Sequence, residues 1–222
     1  DSSRWRDWTH RARSDYLQNL KHGAMPGALD LGEVMAFLRK RLPENAIITN
    51  GAGNYSGWVQ RFYQYTGFRT QLAPTNGAMG YGVPSSIAAK IVHPDRVVVS
   101  FSGDGCFTMN GQELATAVQY DLPVLFIVVN NGMYGTIRMH QEREYPARVH
   151  GTALKNPDFA ALAIAYGLHG EVVNKTAEFE QAVERAMASN KPALLELRID
   201  PEAITTRTSL TAVREQAVKA GR

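Results

Sequence analysis

Two short polar signals, Gly103-Asp104-Gly105 and Asn130-Asn131, each close an apolar run, and together they limit what this chain can fold into. The first run covers residues 96–102 and the second residues 124–129. Each is long enough for one strand and carries too few polar residues to leave a face in water, as expected of strands in a parallel sheet. Residues 110–120 between them have the spacing of a helix, with Glu113 as the capping-box partner of Asn110. The unit is strand, helix, strand. Loops at the carboxyl ends of neighbouring parallel strands lie side by side, so Asp104 and Asn131 are expected to meet across the 24 residues that separate Gly105 from Asn130. A carboxylate and an amide oxygen brought together there suit a hard divalent cation that also holds phosphate oxygens. The plainer reading is a pair of turn residues at strand ends.

The same alternation extends along the chain. Residues 21–27 are rich in helix breakers; Asp30 then caps a helix whose buried stripe is Leu31, Val34, Leu38 and Leu42, ended by Pro43. A short strand is expected over 46–49, a helix over 56–65 and another over 79–92. Beyond the two signals come strands over 170–173 and 193–199, with a helix over 177–188 that turns Phe179, Val183 and Ala186 inward. Alternating strands and helices predict an α/β fold: a doubly wound, mostly parallel sheet with helices on both faces. After Pro201 the chain is polar, and residues 209–220 are expected to form a terminal helix that packs on a neighbouring domain.

Gly103-Asp104-Gly105 spaced in this way from Asn130-Asn131 resembles the cofactor signature of the thiamine diphosphate enzymes, most closely the acetolactate synthase-like decarboxylases and carboligases. Further segments carry the likeness. Asn76-Gly77-Ala78-Met79-Gly80-Tyr81-Gly82-Val83-Pro84 is similar to the segment that cradles the aminopyrimidine ring in that family. Gly51-Ala52-Gly53-Asn54-Tyr55 is similar to its upstream diphosphate loop. Asn156-Pro157-Asp158-Phe159 and Ala165-Tyr166-Gly167 are similar to its next helix.

The resemblance implies thiamine diphosphate and Mg²⁺ as cofactors. Asp104 and Asn131 would give side-chain oxygens to the metal, and Met133 its backbone carbonyl. Gly103, Gly105 and Cys106 would approach the diphosphate through their backbone, assisted by the helix starting near Asn110, with Asn54 and Tyr55 touching phosphate from the far side. Gly77 and Met79 would hold the pyrimidine, the Met79 side chain wedging between the two rings, although on the residues alone Met79 reads as core at a helix start. Tyr134 opens the stretch to Gln141 that faces substrate in relatives. That stretch lacks the tryptophan-bearing pattern of authentic acetolactate synthases, so the 2-oxo acid substrate stays open. Cys106 stands where many relatives carry serine. On its own terms it reads as a small buried residue after a tight turn rather than a nucleophile.

The family's activating glutamate belongs to a separate pyrimidine-binding domain, usually a partner subunit's, and nothing here matches it. Glu33, Glu113, Glu142 and Glu144 lie in segments with other assignments. The resemblance thus implies the C-terminal third of an enzyme: a lead-in and linker (1–27), a diphosphate-binding domain (28–200) and a tail (201–222). The opening Asp1 agrees with an excised piece. Trp5, Trp8 and Tyr16 would pack between domains, the assembly would be a homodimer or homotetramer, and the isolated chain would be inactive.

Composition narrows the alternatives. With 222 residues, 44% hydrophobic and 20% charged, the chain suits one large domain with a substantial core. The net charge of +3 is spread without a basic block, which leaves no electrostatic case for nucleic-acid or membrane binding. Cys106 is the sole cysteine, which excludes an internal disulfide and agrees with a reducing cytoplasm. A nicotinamide-binding fold is disfavoured, because no Gly-x-Gly-x-x-Gly turn follows the first strand. A cofactor- or partner-binding module without turnover is the remaining competitor.

Overall fold

The computed structural model describes residues 2–222. Six strands form one sheet: β1 (Ile47–Asn50), β2 (Gln71–Leu72), β3 (Val98–Gly103), β4 (Val124–Asn130), β5 (His169–Val173) and β6 (Ala193–Arg198). Their order is β2-β1-β3-β4-β6-β5, and every pairing is parallel. The helices are α1 (Arg6–Asn19), α2 (Leu31–Arg41), α3 (Ser56–Phe62), α4 (Gly82–Val92), α5 (Asp104–Phe107), α6 (Leu114–Gln119), α7 (Gly135–Glu144), α8 (Phe159–Tyr166), α9 (Thr176–Ala188) and α10 (Leu210–Lys219).

Strand periodicity decides which helix covers which face. Leu125, Ile127 and Val129 of β4 point into one core with Val99, Phe101 and Leu195, closed by Val34 and Leu38 of α2, Trp58 of α3 and Phe179 and Val183 of α9. Val124, Phe126 and Val128 point the other way, with Val98 and Leu194, onto Ile87 of α4, Leu114 of α6 and Phe159 of α8. The expected α/β architecture with both sheet faces covered is therefore present. β2 was not foreseen, since two residues carry no readable periodicity.

The cap expected at α2 is present, where the Asp30 carboxylate accepts from Gly32 N–H at 2.7 Å; α8 carries a cap the sequence reading did not name, Asp158 accepting from Ala161 N–H at 2.8 Å. The helix expected over 110–120 is different in form. The chain turns helical at once after Gly103 as α5, makes a 3₁₀ turn over Gly111–Glu113, and only then enters α6. The Asn110–Glu113 capping box does not form: Asn110 Nδ2 donates to the Gly80 carbonyl at 3.0 Å, and Glu113 accepts from the Thr116 hydroxyl at 2.7 Å. A tertiary contact displaces the local one.

The terminal helix has a partner face within the chain: Leu210 and Val213 of α10 bury against Met139 of α7 and Ile204. By contrast α1 buries no residue, and Trp5 and Trp8 are 62% and 66% exposed. Among the described residues no helix is long and apolar enough to cross a membrane.

Candidate cofactor and metal site

Because β1, β3 and β4 run parallel in adjacent positions, the segments that follow them emerge at the same edge of the sheet. A cavity of about 260 Å³ opens there. All eleven residues singled out by the sequence line it: Asn54 and Tyr55 after β1, Gly77 and Met79 before α4, Gly103, Asp104, Gly105 and Cys106 after β3, and Asn131, Met133 and Tyr134 after β4. Trp58, Thr136, Ile137, Ile199 and Ile204 complete much of the wall.

Asp104 is 3% exposed and is the one charged side chain lining the cavity among the described residues. Burial pushes its carboxyl above the ordinary carboxylate range, against the opposing pull of hydrogen bonds from Asn156 and from the Gly105, Gly132 and Met133 amides. Among the described residues no Lys, Arg or His forms an ion pair with it, so a bound cation would relieve an uncompensated buried charge. Gly105 N–H donates to Oδ1 at 2.9 Å, while Gly132 N–H at 2.9 Å and Asn156 Nδ2 at 2.7 Å donate to Oδ2.

The β4 loop is held with equal definition. Asn131 Oδ1 accepts from Met133 N–H at 3.2 Å. Gly132, at φ +70°, takes the left-handed turn that points the loop back toward Asp104. Met133 bridges Ala153 in antiparallel fashion; the bonds of that bridge run from Leu154 N–H to the Gly132 carbonyl and from Tyr134 N–H to the Thr152 carbonyl, both 2.9 Å. The Met133 carbonyl is not among the acceptors the bridge uses. A carboxylate, an amide and a main-chain carbonyl on one wall are a hard, oxygen-rich donor set of the kind Mg²⁺ takes. The residues fit the metal.

Close approach at the β3 loop depends on glycine. A Cβ on Gly105 would lie 2.6 Å from Tyr134 Cε1, so the Tyr134 ring packs directly on the Gly105 backbone. The chain becomes helical at Asp104, with Gly105 and Cys106 in the first turn of α5, ahead of the start near Asn110 that the sequence reading expected.

Other residues of the wall also bond within the protein. The Cys106 thiol is turned inward: it accepts from Gly80 N–H at 3.0 Å and from the Tyr55 hydroxyl at 3.5 Å. It therefore joins the loops after β1, before α4 and after β3. Burial pushes the Tyr55 hydroxyl well above its usual range, so it stays a neutral donor. Asn54 is occupied within the protein: Nδ2 donates to the Ile204 carbonyl at 2.9 Å, Oδ1 accepts from the Thr136 hydroxyl at 3.0 Å, and its N–H donates to Thr136 Oγ1 at 3.0 Å. These bonds fasten α7 and the C-terminal segment to the β1 loop. Sequence reasoning missed Ile204, which sits in no recognisable pattern; Thr136 was noticed only within the stretch from Tyr134 to Gln141, and Asn156 only as part of a helix start.

No glutamate reaches the cavity wall among the described residues. Glu142 is fully buried and paired with Arg138 and Arg214, while Glu33 and Glu144 are exposed.

Residues 51–197 match the family model described as thiamine pyrophosphate enzyme, C-terminal TPP binding domain. The chain belongs to this family. It is 37% identical over 174 residues to the probable acetolactate synthase large subunit of Methanocaldococcus jannaschii, covering 78% of this chain and 29% of that protein. It is 30% identical over 199 residues to the acetolactate synthase isozyme 2 large subunit of Escherichia coli K12, covering 88% and 36%. Among solved structures, the thiamine diphosphate-dependent 4-hydroxybenzoylformate decarboxylase of Rhodococcus jostii RHA1 superposes with a TM-score of 0.74 at 29% identity, covering 81% of this chain and 34% of that one. The chain thus spans about a third of the length of these proteins.

Proposed function

We propose that this chain is the diphosphate- and Mg²⁺-binding part of a thiamine diphosphate-dependent decarboxylase or carboligase acting on a 2-oxo acid. The observation that carries the reading is the convergence of four separate loops on one cavity around Asp104, a buried carboxylate without a cationic partner among the described residues. Acetolactate synthases and a decarboxylase among the relatives support the reaction class.

Asp104, Asn131 and the Met133 carbonyl would hold the metal, and the backbone of Gly103, Gly105 and Cys106 would receive the diphosphate. Gly77 and Met79 would seat the pyrimidine end, with Met79 under the bend. When bound, thiamine diphosphate supplies a nucleophilic carbon and an electron sink for loss of carbon dioxide from a 2-oxo acid. Trp58, Ile137, Ile199 and Ile204 exclude water beside that position, and Tyr134 is held over Gly105 at the mouth.

With no carboxylate besides Asp104 on the wall among the described residues, proton movement to activate the cofactor would fall to a glutamate of a pyrimidine-binding domain, in the same polypeptide or a partner subunit. A homodimer or homotetramer in the cytoplasm is the expected setting. The test is to assay the isolated chain and the chain recombined with a pyrimidine-binding domain for carbon dioxide release from 2-oxo acids. Release only in the second case is expected. Turnover by the isolated chain would overturn the division of roles, and no turnover in either would favour a binding module.

A further inference from the structure

The loop before α8 reaches the metal side of the cavity. Asn156 donates from the same Nδ2 to Asp104 Oδ2 at 2.7 Å and to Asn130 Oδ1 at 2.9 Å. Asn130 Oδ1 also accepts from Gly132 N–H at 3.0 Å, the amide that donates to Asp104 as well. Asn130 Nδ2 donates in turn to Glu196 Oε1 at 2.8 Å. Glu196 is fully buried on β6, where its other oxygen accepts from Phe159 N–H at 3.1 Å and Arg198 Nε donates to Oε1 at 2.9 Å.

These bonds form one continuous line from β6 to the β3 loop. Glu196 has a fixed strand register, opposite Val128 of β4. It orients the Asn130 amide, so that Asn130 must present its oxygen toward Asn156. The Asn156 amide is then directed at both acceptors, and Asp104 Oδ2 receives a bond of set direction. Outer groups that orient a ligating carboxylate in this way govern how well the ligand is presented to a cation.

We propose that Asn156, oriented by Asn130 and Glu196, is a positioning residue that fixes the Asp104 carboxylate for the divalent cation. The proposal rests on the functional reading given above. It assigns a role to Asn156 as a hydrogen-bond donor rather than as a helix-start residue. It also explains why a carboxylate lies fully buried on β6, one strand away from the cavity.

The donor role separates from a packing role by substitution at the half-buried position 156. Asn156→Ala removes the donor and leaves space; Asn156→Asp keeps the shape but sets a second carboxylate against Asp104. Mg²⁺ would be titrated into the intact protein at saturating thiamine diphosphate, with tryptophan fluorescence as the readout, and folding monitored by circular dichroism. Asn156→Ala is expected to weaken Mg²⁺ about 10- to 100-fold, the range for loss of such an outer partner, and Asn156→Asp to weaken it at least as much. A packing role gives the reverse order, with Asn156→Asp near wild type. Mg²⁺ affinity unchanged within twofold in both folded variants would overturn the proposal while leaving the functional reading standing. Absence of Mg²⁺-dependent thiamine diphosphate binding in the wild type would overturn both.

Discussion

The buried Glu142 of α7 and the half-buried Arg214 of α10 form an ion pair at 2.6 Å, and this bond ties the C-terminal helix to the helix that walls the cavity. Glu142 also pairs with Arg138 and accepts from Ala147 N–H at 2.7 Å. The tail beyond β6 is thereby part of the site, since Ile204 lines the cavity and receives a bond from Asn54. Replacing Arg214 with Met should leave Glu142 with Arg138 and the Ala147 N–H. The expected loss is about 1.5–3 kcal/mol, as for a hydrogen bond to a charged group, less than for removal of a sole counter-ion. Urea denaturation measures it.

Burial alone would raise the Glu142 carboxyl, but the bonds from Arg214 and Ala147 and the Arg138 charge hold it down at about 2, below its ordinary 4.5. A depressed folded-state value means that the native state binds the proton less readily than the unfolded chain. The stability it contributes is complete above about pH 4.5 and is lost as pH falls toward 2. In Glu142→Gln the acid limb of the stability profile between those values should be flatter than in wild type. Parallel profiles would show that Glu142 is not held down in the native state.

Asp104 is expected to behave differently from a structural carboxylate. Asp104→Asn removes a buried charge that has no cationic partner among the described residues, but it also turns an amide NH2 onto N–H donors that now bond the carboxylate; the two effects oppose, and the melting temperature of the cofactor-free protein should change little. Calorimetry with Mg²⁺ and thiamine diphosphate should then show no added stabilisation. A lower melting point without cofactor, with stabilisation retained, would remove Asp104 from the metal site.

Much of this site was legible because its residues sit where strand periodicity stops. The runs ending at Gly103 and Asn130 read as buried strands, and parallel topology then fixed that Asp104 and Asn131 share an edge. What could not be read were contacts between segments distant in sequence. Asn110 bonds Gly80 instead of capping its own helix, Cys106 faces Tyr55 and Gly80, and Asn54 is bound to Thr136 and Ile204. Asn156 and Glu196 escaped for the same reason: neither residue has a local pattern that distinguishes a site residue from a turn or strand residue. The α10 docking escaped because an amphipathic helix shows that it has a partner face, not which partner covers it.

Cys106 supplies an acceptor to the Gly80 N–H. Serine can keep that acceptor, so Cys106→Ser is expected to change stability by less than about 1 kcal/mol, whereas Cys106→Val leaves the buried amide unpaired at a cost of about 1–3 kcal/mol. Guanidinium unfolding of the two variants compares them. Equal effects would indicate that the volume of the thiol, and not its bond, matters at this position.

Two glycines separate crowding from backbone strain. Gly105→Ala drives a methyl against the Tyr134 ring and should both destabilise the protein, by about 1–3 kcal/mol, and weaken cofactor binding. Gly132→Ala meets nothing within 4 Å but keeps φ at +70°, so its cost is strain alone, about 1–2 kcal/mol. Melting points with and without thiamine diphosphate distinguish the two.

The most direct measurement is a thermal shift of the intact protein with thiamine diphosphate and Mg²⁺ together, with each alone, and with a nicotinamide dinucleotide. The expected result is a marked rise in melting temperature with thiamine diphosphate and Mg²⁺ together, a smaller one with either alone, and none with the nicotinamide cofactor. No shift with thiamine diphosphate and Mg²⁺, or a shift with the nicotinamide cofactor in their place, would contradict the assignment of this cavity.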